Sequence, residues 1–228
     1  MRTGAGREHK ADQKRATDRA AESLVRAARG QGVCEPRVLE AVRAVRRASF
    51  VPPASRDEAG YDYALPIGRA QTTSQPSLIA LMIEALGLKG HETVLEIGTG
   101  YGYQTALLAR LARRVLSVER ISELAEAARA NLAAEGVANV EVVVGDGTLG
   151  LPDLSPFDAI VVAAAFVRVP EPLAAQLANG GKLVMPVGNG GGDIVKAFEK
   201  RDDELVEVQI LCGARFVPLL GANGFKAP

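Results

Sequence analysis

Glu96, the glycines at 98, 100 and 102, and Glu119 form a pattern of acids and alternate glycines suited to holding a small ligand. Val94 to Tyr103 reads VLEIGTGYGY, a short apolar run and then glycines at alternate positions, after which Gln104 to Leu111 resumes helical spacing. Glycine at such a turn accepts positive φ and lets a ligand approach the main chain closely. The helix that follows points its free N–H groups and positive dipole end at the same spot. Glu119 follows the next apolar run, where a carboxylate can accept hydrogen bonds from both ribose hydroxyls of a nucleoside.

The dinucleotide fingerprint needs its third glycine five residues after the first, with pyrophosphate on the helix N-terminus. Tyr103 holds that place here. The spacing argues against NAD and leaves room for a nucleoside ligand without pyrophosphate. S-adenosylmethionine (SAM) is such a ligand, and methyltransferases built on this kind of sheet commonly carry E/D-x-G-x-G-x-G. Asp146, between Gly145 and Gly147, could receive an adenine amino group; it is equally readable as ordinary Asp-Gly turn chemistry.

Composition narrows the partners. Lys plus Arg, 27, equals Asp plus Glu, 27, so no global field favours nucleic acid or an anionic membrane. Tryptophan is absent and aromatics are 4% of the chain, which disfavours a base-stacking surface. Cys34 and Cys212 stand far apart, outside any CxxC or Cys/His cluster, and read as reduced thiols. His9 and His91 have no ligand spacing, so no metal is expected. No run of about 18 apolar residues occurs, and the expected protein is cytoplasmic and monomeric.

The rest of the chain supplies the scaffold for these residues. Residues 1–19 form a polar leader, a mobile tail or frayed helix start. Residues 20–228 form a single domain, with helices and an active-site loop over 20–76 and the ligand-binding sheet over 77–228. Ala20 to Ala28 and Val38 to Val45 have helical apolar spacing, and Arg43, Arg46 and Arg47 read as the solvated face of the second helix. Phe50 to Pro76 has no sustained period, but Phe50, Val51, Tyr61, Leu65 and Ile67 can anchor it as an ordered loop. Ser74 or Gln75 would cap a helix from Pro76 through Leu86.

Strands are expected at 94–97, 115–118, 140–144, 159–162 and 183–187, with helices at 121–135 and 171–177 and a turn at Gly180-Gly181. Residues 188–193, GNGGGD, mimic a second phosphate loop. The β-like runs 194–199 and 205–216 make them the linker into a hairpin instead. The expected fold is α/β and Rossmann-like: a mostly parallel sheet with an antiparallel edge hairpin and added N-terminal helices.

Between about Arg47 and Leu219 the segments FVP, YDYALPIGRAQTTSQP, VLEIGTGYGYQTALLARL, SVERI, GDGTLG, PFDAIVVAAA, PVG and RFVPL occur in that order. They resemble the protein-L-isoaspartate (D-aspartate) O-methyltransferases, of which PIG..QT.SQP is characteristic. The resemblance implies a SAM-dependent methyltransferase fold and methyl transfer to the α-carboxylate of isoaspartyl residues in damaged proteins. The ester then closes to a succinimide that hydrolyses partly to aspartate. It implies Ser74 as the active-site serine. Its implied cofactor-binding set is Thr72, Thr73, Glu96, Gly98, Thr99, Gly100, Gly102, Gln104, Glu119, Asp146 and Gly147.

The sequence departs from the family at four positions. Ala70 stands where glycine is usual, Thr73 where isoleucine is, and Ala163 and Phe166 replace the threonine and proline of TAAP. A Cβ at 70 is strained if φ there is positive. These departures leave two other readings: a carboxyl methyltransferase for one dedicated peptide, and a non-catalytic module that recognises isoaspartyl protein or SAM.

Overall fold

The computed structural model describes residues 4–189 and 191–226, with side chains from residue 15 onward except that of residue 16. The first helix, α1, spans Gly4–Gly30 rather than starting near Ala20. Its polar first half offers no apolar stripe, but Arg, Glu, Lys and Gln are good helix formers, so propensity extends the element where periodicity is silent. Helix α2, Pro36–Ala44, buries Val38, Leu39, Ala41 and Val42. Two 3₁₀ turns follow, Arg47–Phe50 and Pro53–Glu58.

The segment expected as an irregular loop holds a small antiparallel hairpin, β1 (Leu65–Gly68) with β2 (Gln71–Thr73). Strands this short carry too few residues for a period to register. Helix α3, Pro76–Leu86, ends on Gly87 at φ 68°.

The main sheet follows: β3 (Thr93–Ile97), α4 (Tyr103–Ala109), β4 (Arg114–Glu119), α5 (Ser122–Ala134) and β5 (Val140–Val144). Then come β6 (Phe157–Val162), α6 (Glu171–Gln176), β7 (Leu177–Val187), β8 (Asp193–Arg201) and β9 (Glu204–Ala214). The strand order is β5-β4-β3-β6-β7-β8-β9, parallel as far as β7 and antiparallel over the last two pairings. Instead of a turn at Gly180-Gly181, β7 runs through both glycines with a break in register: Phe157 faces Leu177 and Ala159 faces Lys182.

Because successive strand residues face opposite sides, the sheet has an apolar cluster on each face. Val94, Val115 and Val161 pack with Leu24, Val42, Ile83 and Leu107 of the helices, while Leu95, Leu116 and Ile160 pack with Leu173 and Leu219. The sheet order reverses between β3 and β6, and ligands of such sheets sit at that point beyond the carboxyl ends of the strands. Glu96, the glycine loop and Glu119 lie there. Among the described residues no helix is long and apolar enough to cross a membrane.

Candidate active site

The loop after β3 is shaped by its glycines. Gly98 has φ 97° and a Cβ there would lie 3.3 Å from that of Ala163; Gly100 has φ 57° and would meet Ile67 Cδ1 at 3.1 Å. Both conformations are ones L side chains avoid. Gly102, at the start of α4, is left-handed as well at φ 94°, and a Cβ there would reach Leu132 and Phe50 only at ordinary contact distances of 3.4 to 3.5 Å.

Beneath the loop lies a buried polar chain. Thr99 Oγ1 and Ser117 Oγ are 2.6 Å apart, and Glu96 Oε2 accepts from Ser117 Oγ at 2.6 Å and Thr105 Oγ1 at 2.5 Å. Glu96 Oε1 and Gln104 Nε2 are buried without a partner. Burial pushes the Glu96 carboxyl up to about 7, against the hydroxyls of Ser117 and Thr105 and the nearby Gln104 amide, which favour the ionised form. Between its ordinary value of 4.5 and about 7, the unfolded chain releases a proton that the folded protein keeps. The stability Glu96 contributes is therefore full below the ordinary value and lost as pH rises through the folded one. Relative to wild type, Glu96→Gln is expected to be more stable at pH 8 than at pH 5. Urea midpoints at the two pH values check it, and an unchanged difference would refute it.

Glu119, at the end of β4, accepts from Gly100 N at 2.9 Å and Ile121 N at 3.0 Å. It is thereby fixed on the rim of a cleft also lined by Gly98, Thr99, Gly100, Gln104 and Gly147, with Thr72, Thr73 and Ser74 opposite. Arg120, Ile121 and Leu124 extend this wall, and Val217 to Leu220 close it from the far end of the chain. No local pattern signals that closure, which joins remote segments; RFVPL was the available trace.

Three residues of the expected set lie elsewhere. Glu96 is under the loop, Gly102 is in the packing at α4, and Asp146 is turned to the C-terminal segment. Asp146 Oδ1 accepts from Thr148 N at 2.9 Å and its Oγ1 at 2.7 Å, and Oδ2 accepts from Ala222 N at 2.7 Å. Burial raises its pKa, but the hydrogen bonds from Ala222 and Thr148 outweigh it and hold the carboxyl below the usual range.

A second cleft adjoins the first. Tyr63, Leu78, Cys212 and Arg215 line it, and Thr72, Ser74, Ala163 and Val217 belong to both. Ser74 thus stands on the border between two spaces, and its hydroxyl makes no hydrogen bond among the described residues. Nor does it cap α3. Gln75 holds the cap position without a side-chain cap bond, and Asp62 does the work from a distance, accepting from Ser77 N at 2.8 Å and Ser77 Oγ at 2.7 Å. Arg47 also departs from expectation: it is buried rather than on a solvated helix face, donating to the carbonyls of Tyr61, Tyr63 and Ser74. Arg43 and Arg46 remain on the surface, paired with Glu22 and Glu135.

The departures from the family pattern have distinct places. Ala163 is in the wall common to both clefts, whereas Phe166 stands edge-on to Phe225 at 4.9 Å and lines neither cleft. Ala70 forms the β1–β2 turn with Arg69, at φ 56° and 53°. Each left-handed L-residue costs about 1–2 kcal/mol, partly offset in glycine by its freer unfolded chain. Ala70→Gly is expected to stabilise the protein by about 1 kcal/mol, or about 2–4 °C in Tm for a domain of this size. A calorimetric Tm at or below wild type would refute the strain.

A family model for protein-L-isoaspartate(D-aspartate) O-methyltransferase matches residues 19–224. The chain belongs to that family. A protein-L-isoaspartate O-methyltransferase of Methanoculleus marisnigri is 50% identical over 199 residues, 87% of this chain and 90% of that protein. One from Anaeromyxobacter dehalogenans is 52% identical over 190 residues, 82% of this chain and 91% of that protein. Among solved structures, a protein-L-isoaspartate O-methyltransferase superposes with a TM-score of 0.78 at 33% identity, covering 89% of this chain and 66% of that one.

A Plasmodium falciparum structure, described as a candidate protein-L-isoaspartate O-methyltransferase in complex with S-adenosyl-L-homocysteine, gives a TM-score of 0.74 at 22% identity. It covers 87% of this chain and 97% of that one. At that identity it supports the methyltransferase fold alone.

Proposed function

We propose that this protein repairs damaged polypeptides by transferring a methyl group from SAM to the α-carboxylate of isoaspartyl residues, with D-aspartyl residues as a second substrate. The ester closes to a succinimide that hydrolyses partly to aspartate. The observation that carries the reading is the meeting of two clefts at Ser74 in a member of this family.

The first cleft has the donor set for SAM. Glu119 would hold the ribose hydroxyls, and the Gly98–Gly100 loop lets a ligand lie against the main chain. Gln104, which lines the cleft, would meet the carboxylate of an amino-acid end through its Nε2, with Glu96 beneath the loop as its support. Gly147 would complete the adenine side, with Asp146 holding that turn through Thr148 and Ala222. When bound, SAM supplies a methyl group activated by its sulfonium.

The rest falls to this chain's residues, and its demands are modest. The acceptor carboxylate has a reference pKa of about 4 and is ionised at neutral pH, so no side chain must act as base. The residues must orient the reactants, which can contribute up to about 7–11 kcal/mol. Ser74 would donate its unengaged hydroxyl to the acceptor carboxylate, with the second cleft receiving the peptide. The β1–β2 hairpin lines the first cleft through Ile67 and Thr72, and its closure over a bound substrate would exclude water from the junction.

We further infer a single domain over residues 20–228, because one apolar cluster joins Leu24 of α1 to Val94 of the sheet and on to Phe216. The free thiols of Cys34, exposed, and Cys212 support a reducing compartment such as the cytoplasm.

The test is repair itself. An isoaspartyl peptide held for hours with enzyme and SAM is separated chromatographically from its aspartyl twin. Aspartyl peptide is expected to accumulate only when SAM is present; no conversion by enzyme that binds SAM would overturn the reading.

A further inference from the structure

We propose that Arg47 and Asp62 act as a clamp that sets the main chain at Ser74, and with it the direction of the Ser74 hydroxyl, for methyl transfer; the proposal rests on the active-site reading of Ser74 above. Arg47 is 2% exposed. Its Nη1 donates to Tyr61 O at 2.8 Å, and its Nη2 to Tyr63 O at 2.8 Å and Ser74 O at 3.3 Å. The guanidinium lies 5.9 Å from the centre of the Tyr103 ring.

Asp62, between the two tyrosines, faces the other end of the same segment. Its Oδ1 accepts from Ser77 N at 2.8 Å, and its Oδ2 from Ser77 Oγ at 2.7 Å and Gln75 Nε2 at 2.8 Å. Residues 74–77 are therefore held at a carbonyl by the cation and at an N–H by the anion. Upstream, Thr73 is fixed by pairing with Leu65 in the β1–β2 hairpin. Ser74 sits between these anchors with its own hydroxyl unused.

A buried charge is costly unless its groups are engaged, and Arg47 directs both Nη atoms to main-chain carbonyls of this one loop, its Nε being buried without a partner. The planar fork can span three carbonyls, which a lysine ammonium reaches only as a point. Arg47 and Asp62 are thus positioning residues acting through Ser74, and they line neither side of the cofactor loop.

The test compares Arg47→Lys, Asp62→Asn and Ser74→Ala, alone and as Arg47→Lys/Ser74→Ala and Asp62→Asn/Ser74→Ala doubles, in steady-state methyl transfer to an isoaspartyl peptide. Each clamp variant is expected to lower kcat about tenfold, because a small misplacement of a reacting group is costly, with the Kd for SAM within twofold of wild type. In the Ser74→Ala background either change is expected to cost less than about twofold further, the non-additivity of residues that act through one another. Should Arg47→Lys fail to bind SAM, Asp62→Asn decides. Clamp variants with wild-type kcat, or losses that multiply onto that of Ser74→Ala, would overturn the clamp. Full turnover by Ser74→Ala would instead overturn the reading of Ser74, and the clamp with it.

Discussion

Glu119→Ala is expected to weaken SAM binding about a hundredfold while leaving the fold intact. Each hydrogen bond to a charged group is worth about 1.5–3 kcal/mol. Loss of two ribose contacts, softened by entering water, comes to about 3 kcal/mol, near two decades in Kd. The same carboxylate also holds Gly100 N and Ile121 N, so its removal loosens the glycine loop that the ligand must lie against. Isothermal titration with SAM checks this. A Kd within about threefold of wild type would remove Glu119 from the site.

Ser74→Ala is expected to cut kcat about 30- to 100-fold, the loss of one hydrogen bond to an ionised group together with part of its orientation. Because the hydroxyl is unengaged in the protein and Asp62 caps α3, Tm is expected to stay within about 1 °C of wild type. SAM affinity is expected to be unchanged. Full turnover in a variant that binds SAM would leave Ser74 as a wall residue only.

The strand, glycine turn and helix from Val94 to Ala109 were legible because their cause is local: apolar residues, positive-φ glycines and helical spacing lie within one short stretch. The carboxylate of Glu119 was legible for the same reason, standing directly at a strand end. Ala70 was legible as a condition, strained if its φ is positive, and the hairpin turn meets that condition at 56°.

What escaped depends on contacts between remote segments. Arg47 follows Arg43 and Arg46 at the end of an apolar helical stripe, and nothing near it in sequence reveals that the carbonyls of Tyr61, Tyr63 and Ser74 will enclose it. Asp62 caps a helix that starts well beyond it, so local capping rules pointed to Ser74 or Gln75 instead. The side chain of Asp146 has the residue type of an adenine contact, yet Ala222, far along the chain, claims one of its oxygens. The early start of α1 lay outside the reach of apolar periodicity, since its first residues have none to show.

The most direct test of the central claim, that one chain joins a SAM cleft to a cleft for isoaspartyl peptide at Ser74, is methyl transfer from labelled SAM to two synthetic peptides. The peptides differ only in carrying isoaspartate or aspartate at one position, and base-labile methyl ester is the readout. Ester on the isoaspartyl peptide and none on its twin is the predicted result. Ester on neither, from enzyme that binds SAM, or on both alike, would contradict it.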